Sequence, residues 1–91
     1  MSETRETKIR RLRMRSMRRG IKEMDLILQS FAAERLEGMS EAALDHYDSL
    51  LNENDQLLYA WVSGREAGPA QFADLLAEIA AHARSGVARP T

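Results

Sequence analysis

Only two histidines occur in the chain, and each has a carboxylate near it in the sequence. His46 lies between Asp45 and Asp48. Glu78 comes four residues before His82. A histidine and a carboxylate one helical turn apart can share a metal ion, but a closed site needs about four ligands. No further ligands converge on either position, so we predict two surface histidines and no metal site.

The sequence also lacks the residue combinations that other kinds of catalysis need. The sequence has no cysteine, which excludes disulfides, thiolate metal ligands and a cysteine nucleophile. No nucleophile is accompanied by a base and an orienting group, as acyl transfer would need. Gly20 stands alone, so there is no glycine-rich phosphate loop. We therefore predict a protein that is not an enzyme, has no catalytic residues and binds no cofactor stably.

The sequence has 91 residues, a length that predicts one domain over 1–91. Charged residues are distributed very unevenly along it. Residues 1–22 contain nine basic and two acidic side chains, whereas residues 23–91 contain four basic and twelve acidic ones. The basic segment has three interpretations: a solvated helix face, a nucleic-acid contact through phosphates, or a docking face for an acidic protein. Arginine suits the last of these because its planar group pairs bidentately with carboxylates.

Apolar residues recur at three- and four-residue spacings in five stretches, which predicts an all-α, five-helix bundle with short loops. Valine is scarce, so little of the chain favours strands. The ordered core is expected over about 6–85, with flexible ends at 1–5 and 86–91. The first predicted helix covers 6–19, with an apolar stripe of Ile9, Leu12 and Met17. The second covers 21–38, with Gly38 as a left-handed terminator. Ser40 is predicted to cap the third helix, Asn54 or Asp55 to cap the fourth, and Pro69 to lie in the first turn of the fifth.

Aromatic residues are few, and we expect Phe31 and Phe72 to pack in the core. Tyr59 and Trp61 are two residues apart and cannot share a helix face, so one of them should lean outward. Whichever is exposed is a candidate for contact with a partner. No apolar run approaches the ~20 residues needed to cross a bilayer, so we expect no membrane insertion.

Gly20 lies where the charge changes sign, between the basic segment and the acidic remainder. Glycine costs about 1 kcal/mol relative to alanine in a helix interior, so it needs a reason. It can supply a turn or allow a partner to approach the backbone closely. If the helix were continuous, Arg19 and Glu23 would face the same side and could form an ion pair.

Residues 19–25, RGIKEMD, resemble the Arg-Gly-x-x-Glu signature of the succinate dehydrogenase assembly factor 2 family, which includes the bacterial FAD assembly factor SdhE. Residues 54–64, NDQLLYAWVSG, are similar to the family's Asp-x-x-Leu-x-x-Trp segment through Asp55, Leu58 and Trp61. The likeness covers most of the chain. One departure is that many members have an aromatic residue in the first helix, where this chain has Met14 and Met17.

The resemblance implies a five-helix, non-catalytic assembly factor. Such factors bind the flavoprotein subunit of succinate dehydrogenase, and in bacteria also that of fumarate reductase, and they promote covalent attachment of FAD to a histidine of that subunit. FAD would belong to the partner, with at most a weak shared contact here. Carried over by position, the partner-binding residues are Arg19, Gly20 and Glu23, with Arg15 and Arg11 as a basic extension and Asp25 as a further match.

The resemblance also implies a cellular compartment and an oligomeric state. We expect a cytoplasmic protein in a bacterium or a mitochondrial matrix protein in a eukaryote, monomeric when free and without a nucleic-acid partner. Two alternatives stay open at this point. One is a small helical nucleic-acid-binding protein that uses its arginine-rich first helix, and the other is an adaptor for a different acidic protein.

Overall fold

Five α-helices form the protein in a computed structural model that describes residues 3–85. No strand occurs among these residues, which confirms the predicted all-α fold. Two short 3₁₀ turns, at Leu36–Gly38 and Ala70–Phe72, complete the element order. The helices are α1 (Arg5–Arg15), α2 (Lys22–Arg35), α3 (Glu41–Leu50), α4 (Asp55–Val62) and α5 (Ala73–Arg84). The predicted flexible end at 86–91 lies outside the described residues.

Side-chain caps begin three of the helices. Thr4 accepts a hydrogen bond from the amide of Thr7, so α1 starts one residue before the expected core boundary. Ser40 caps α3 through the amide of Ala43, as predicted. Asn54 caps α4, and Asp55 is therefore free for a different role. These caps satisfy amides that have no partner inside a helix.

Three predicted boundaries are wrong. The first helix ends at Arg15, not at residue 19, because Arg18 has a φ of 57°, a left-handed geometry that cannot continue an α-helix. Gly38 closes a 3₁₀ turn without adopting a positive φ, so it is not a left-handed terminator. Pro69 precedes the second 3₁₀ turn, and α5 begins only at Ala73.

Helix α2 runs through the middle of the fold and packs against α1, α4 and α5. Its buried side chains include Phe31, and Phe72 is buried as well, so both predicted core aromatics are confirmed. Met17 is wrong as a core residue, since it is 42% exposed in the turn after α1. Tyr59 and Trp61 are both half-buried against the core, so neither leans fully outward.

One polar contact lies inside this core and ties α1 to α3. Tyr47 is fully buried, and its hydroxyl lies 2.6 Å from Ser16 Oγ. Ser16 Oγ in turn donates to the carbonyl of Leu12 at 2.8 Å. Burial raises the pKa of Tyr47 to about 12. The pair stabilises the end of α1 because each hydroxyl would be costly to bury without a partner.

The histidines are not the surface residues that we predicted. His46 is half-buried, with its ring centroid 4.9 Å from that of Phe72. His82 meets the edge of Phe31, and its Nε2 lies 2.8 Å from Ser30 Oγ. Both rings fill gaps at the margin of the core. Among residues 3–85, no three His, Asp or Glu side chains are grouped to hold a metal ion, and no helix is long and apolar enough to cross a membrane.

Candidate protein-binding site at the Arg-Gly turn

Residues 16–21, which we call the Arg-Gly turn, join α1 to α2 and expose backbone at Gly20. Gly20 does not adopt a positive φ; Gly64 is the glycine of the described chain that does. A Cβ at position 20 would lie 3.2 Å from Asp55 Oδ2, which is tighter than ordinary contact. The glycine therefore avoids a close contact with Asp55 and is not required by the backbone geometry.

Asp55, the first residue of α4, fixes the turn. Its Oδ1 accepts hydrogen bonds from Nε of Arg19 at 2.8 Å and lies 2.7 Å from Arg19 Nη2. Its Oδ2 accepts the backbone N–H of Gly20. One carboxylate thus binds the side chain of one turn residue and the main chain of the next, and the turn cannot shift without breaking both contacts.

Arg19 points into the protein. Besides Asp55, its guanidinium donates to the carbonyls of Arg15 at 2.9 Å and of Leu51 at 3.3 Å. Only 12% of the Arg19 side chain and 17% of the Asp55 side chain are exposed. In the free protein Arg19 therefore braces the turn against α1, the end of α3 and α4. Its direct contact with a partner stays a prediction.

Asp25 supports the same turn from α2. Its Oδ1 accepts from Gln29 Nε2 at 3.0 Å and, more weakly, from the amide of Arg19 at 3.5 Å. These hydrogen bonds, with a further one from the amide of Arg18, hold the pKa of Asp25 below its usual range. Asp25 thus orders the entry into α2, which is a structural role at the predicted site.

Glu23 lies in the first turn of α2 and is exposed. The ion pair that a continuous helix would give between Arg19 and Glu23 is wrong, because residues 16–21 break the helix and Arg19 turns toward Asp55. Among residues 3–85, no cation lies within ion-pair distance of Glu23. The carboxylate is thus free to meet a group from another molecule.

The two predicted basic-extension residues both contact Asp48 of α3. Arg11 donates through Nη1 and Nη2 to the Asp48 carboxylate at 3.1 and 3.0 Å. Arg15 pairs with the same carboxylate and donates to Asn52 Oδ1 at 2.8 Å. Arg11 also pairs with Glu3. Both arginines therefore hold α1 on α3 in the free protein.

Most other cations of the basic segment are neutralised in the same way. Lys8 pairs with Glu41 and Asp45, Arg5 with Glu41, and Arg13 with Glu37. Within the described chain, no carboxylate lies in ion-pair distance of Arg10, Arg18 or Lys22. The segment is thus not a free basic arm, and among residues 3–85 Arg10, Arg18 and Lys22 are the cations of this segment left for contact with a phosphate or a carboxylate of another molecule.

A sequence profile of the family described as "Sdh5: Flavinator of succinate dehydrogenase" matches residues 10–83. The chain belongs to the Sdh5 family. This confirms the resemblance inferred from the sequence.

Named relatives of this Sdh5-family chain occur in mitochondria and in bacteria. The mitochondrial succinate dehydrogenase assembly factor 2 of Mycosarcoma maydis is 43% identical over 72 residues, which are 79% of this chain and 30% of the relative. That of Meyerozyma guilliermondii is 49% identical over 61 residues, 67% of this chain and 45% of the relative. The FAD assembly factor SdhE of Legionella pneumophila (strain Lens) is 39% identical over 62 residues, 68% of this chain and 78% of the relative. The chain thus spans less than half the length of the two mitochondrial relatives.

Two residues that organise the site of this Sdh5-family chain were missed as site residues by sequence reasoning. Asp55 had been considered only as a helix cap and as part of a family-like segment. Asp48 had been noted only beside His46. The signal available for Asp55 was that Asn54 already supplies a cap, which leaves an unassigned carboxylate at the start of α4. No local pattern connects Asp48 with Arg11 and Arg15, which lie more than thirty residues away.

Acid should destabilise this Sdh5-family chain through its α1 contacts. Arg11 and then Arg15 hold the pKa of Asp48 below its usual range, and Lys8 and Arg5 do the same for Glu41. A carboxylate with a lowered folded-state pKa stabilises the fold above its unfolded pKa, and that contribution is lost as the pH falls through the folded pKa. We expect the urea midpoint to fall as pH drops from about 5 toward 2.

The matched test is Asp48→Asn, which should flatten that pH dependence and lower stability at pH 7. Asp74→Asn on α5 is the control, because Asp74 is exposed and forms no ion pair among residues 3–85. Equal pH slopes for wild type and Asp48→Asn would contradict the assignment.

Proposed function

We propose that this chain binds the flavoprotein subunit of succinate dehydrogenase and promotes covalent attachment of FAD to it, without contributing a catalytic group. Membership of the Sdh5 family supports the proposal, as do the printed names of its relatives. The observation that carries it is the Arg-Gly turn, where a segment held by Asp55 presents backbone at Gly20, near Glu23, which has no ion-pair partner among residues 3–85. In a bacterium, the flavoprotein subunit of fumarate reductase would be a second client.

Positioning is the mechanism that fits such a site. Docking of the turn would select a conformation of the flavoprotein in which its acceptor histidine and the flavin are aligned for bond formation. Alignment alone can lower a barrier substantially, because the entropy cost is met by binding and not at the reaction step. Gly20 would let the partner approach the backbone, and Glu23 would bind a cation or an N–H group of the partner.

We assign Arg19 and Asp55 to a positioning role, together with Arg11, Arg15 and Asp25. Arg19, Asp55 and Asp25 hold the turn in its contact-ready shape, and Arg11 and Arg15 hold α1, which leads into the turn, on α3. A pre-organised turn binds more tightly because little conformational freedom is lost on association. FAD is proposed to belong to the partner, since a lone Gly20 offers no loop of amides that could cradle a pyrophosphate.

The chain is proposed to act as a monomer in the compartment where the flavoprotein is assembled. That compartment would be the bacterial cytoplasm or the mitochondrial matrix. The relatives' names include both mitochondrial and bacterial proteins.

The decisive experiment replaces the endogenous gene with variants and measures flavin fluorescence of the denatured flavoprotein band, which reports only covalent flavin. Glu23→Ala is expected to reduce covalent flavin about tenfold, the effect of losing one important contact. Glu34→Ala is the matched control, because Glu34 is also exposed on α2 and unpaired among residues 3–85. It should stay within about twofold of wild type.

Gly20→Leu tests the backbone approach. Its Cβ requires only a few tenths of an ångström of movement by Asp55, so the variant should fold, yet its side chain would hold the partner away. We expect covalent flavin to fall tenfold or more, because the variant should lose at least as much binding energy as Glu23→Ala loses. Full covalent flavin with a normally folded Gly20→Leu protein would show that the turn is not the contact surface.

A further inference from the structure

A shallow groove adjoins the Arg-Gly turn and has no role in the function derived so far. It lies between Ile21 and the α4 side chains Leu57 and Tyr59, and the following loop closes it with Arg65 and Glu66. Its volume is about 450 Å³, enough for one or two apolar side chains of another protein but too open for a small molecule to be enclosed.

Apolar side chains make up about half of the lining of this groove, beside the polar groups of Gln56, Arg65 and Glu66. Leu57 is 41% exposed although the neighbouring Leu58 is buried. Tyr59 and Ile21 are half-buried, each with one face on the core and the other toward the groove. A large aliphatic side chain and a tyrosine together form the kind of surface at which partner side chains bury most of their area.

The groove is continuous with the proposed contact surface. Gly20 donates its N–H to Asp55, and Ile21, the next residue after Gly20, lines the groove. A segment that approaches the backbone of Gly20 would therefore extend directly over Ile21 toward Leu57. The groove and the turn form one face and not two separate sites.

Charges around this face indicate what the segment carries. No carboxylate of residues 3–85 lies within ion-pair distance of Arg18, Lys22 or Arg65, whereas most cations of α1 are paired. Arg18 lies in the turn, Lys22 follows it at the start of α2, and Arg65 lines the groove. Glu66 also lines the groove, so the lining carries one charge of each sign. A carboxylate on the partner would pair with Arg65, which has no ion-pair partner among residues 3–85.

We propose that this groove receives an apolar side chain of the flavoprotein subunit that lies beside an acidic residue, with the apolar group against Leu57 and Tyr59 and the carboxylate near Arg65. The proposal rests on the proposed function. A two-fold contact with a second copy of this chain is the alternative occupant, which the test below distinguishes.

The test measures the affinity of the purified chain for the purified flavoprotein subunit by calorimetry. Leu57→Gln should weaken binding about tenfold, the loss typical of one well-placed apolar contact. Leu26→Gln is the matched control, since Leu26 is equally exposed at 41% but lies on α2 and does not line the groove. Its affinity should stay within about twofold of wild type.

The charge component is tested with Arg65→Ala, which should weaken binding and make the affinity less dependent on salt. Arg84→Ala removes an exposed arginine outside the groove and should leave both unchanged.

Three outcomes would overturn the proposal, and they differ in what else they affect. Equal affinities for Leu57→Gln and Leu26→Gln, with binding still lost in Gly20→Leu, reject the groove and leave the proposed function intact. No binding of the flavoprotein by wild type rejects the occupant and the proposed function together. A dimer that dissociates in Leu57→Gln but not in Leu26→Gln identifies a second copy as the occupant.

Discussion

Replacing Asp55 with alanine is expected to lower the free energy of unfolding by about 3 kcal/mol, the low end for removing one partner of a buried ion pair. The physical reason is the guanidinium left behind. Arg19 is 12% exposed and would keep only carbonyl acceptors after the carboxylate is lost. The amide of Gly20 would also lose its acceptor, so the Arg-Gly turn would lose the hydrogen bonds that anchor it on Asp55 of α4.

Thermal unfolding followed by circular dichroism measures this effect, and the melting temperature should fall by roughly 15 °C for a domain of this size. Asp74→Ala is the control, because Asp74 occupies the first turn of α5 as Asp55 does in α4 but is exposed and unpaired among residues 3–85. The control variant measures the stability lost when an acidic residue is removed from the first turn of a helix, where it interacts with the helix dipole, about 0.5 kcal/mol.

A double-mutant cycle separates the ion pair from other effects of Asp55. Arg19→Ala and Asp55→Ala should together destabilise the protein by about 2 kcal/mol less than the sum of the single changes. Additive effects would show that Asp55 stabilises the fold without Arg19. Arg19→Lys should be almost as unstable as Arg19→Ala, because an ammonium group cannot replace the paired contacts of Nε and Nη2 with one carboxylate.

The second large effect is expected at Gly68, in the loop between α4 and α5. A Cβ at this position would lie 2.4 Å from Leu76 Cδ1 and 3.2 Å from Trp61 Cγ. Leu76 is buried and Trp61 packs against the core, so neither side chain can move away freely. Gly68→Ala should lower the free energy of unfolding by about 2 kcal/mol, as overpacking of a filled core does.

The matched control is Gly38→Ala. A Cβ at Gly38 would meet nothing within 4 Å, and this glycine does not have a positive φ. Alanine there should be neutral or stabilise by about 0.5 kcal/mol, because it restricts the unfolded chain. Trp61 is the single tryptophan, so its emission reports the loop directly. An unshifted emission maximum and equal midpoints in urea for both variants would contradict the packing argument.

These two positions bear on function in different ways. Asp55 holds the Arg-Gly turn, so its loss should reduce covalent flavinylation more than its loss of stability explains. A side chain at Gly68 would meet Leu76 and Trp61, and not Arg19 or Asp55, whose hydrogen bonds hold the turn. Its variant should therefore reduce flavinylation only as far as it reduces the amount of folded protein.

Local signals in the sequence predicted most of the helical framework. Five amphipathic stretches gave five helices, and Ser40 and Asn54 cap the helices that follow them, because periodicity and capping depend on residues within four positions of one another. The end of α1 was predicted four residues too late. No local rule shows that Arg18 takes a left-handed geometry when the residues around it are good helix formers.

The sequence proposed residues for the candidate site, but it did not predict which way their side chains point. Residues 19–23 were found from spacing and family resemblance, yet Arg19 was expected to face a partner or Glu23. It faces Asp55, a residue 36 positions away. Charge asymmetry likewise suggested a free basic arm, although Asp48, Glu41 and Glu37 neutralise most of it.

The sequence by itself therefore determined the helix content and membership of the Sdh5 family, since both depend on composition or on residues close together in the chain. Tertiary structure alone decided which charges remain free, why Gly20 and Gly68 lack side chains and that the Arg-Gly turn is anchored on α4. The reason is physical. An arginine satisfies its charge with the nearest carboxylate in space, and only the packing of α1, α3 and α4 determines which carboxylate that is.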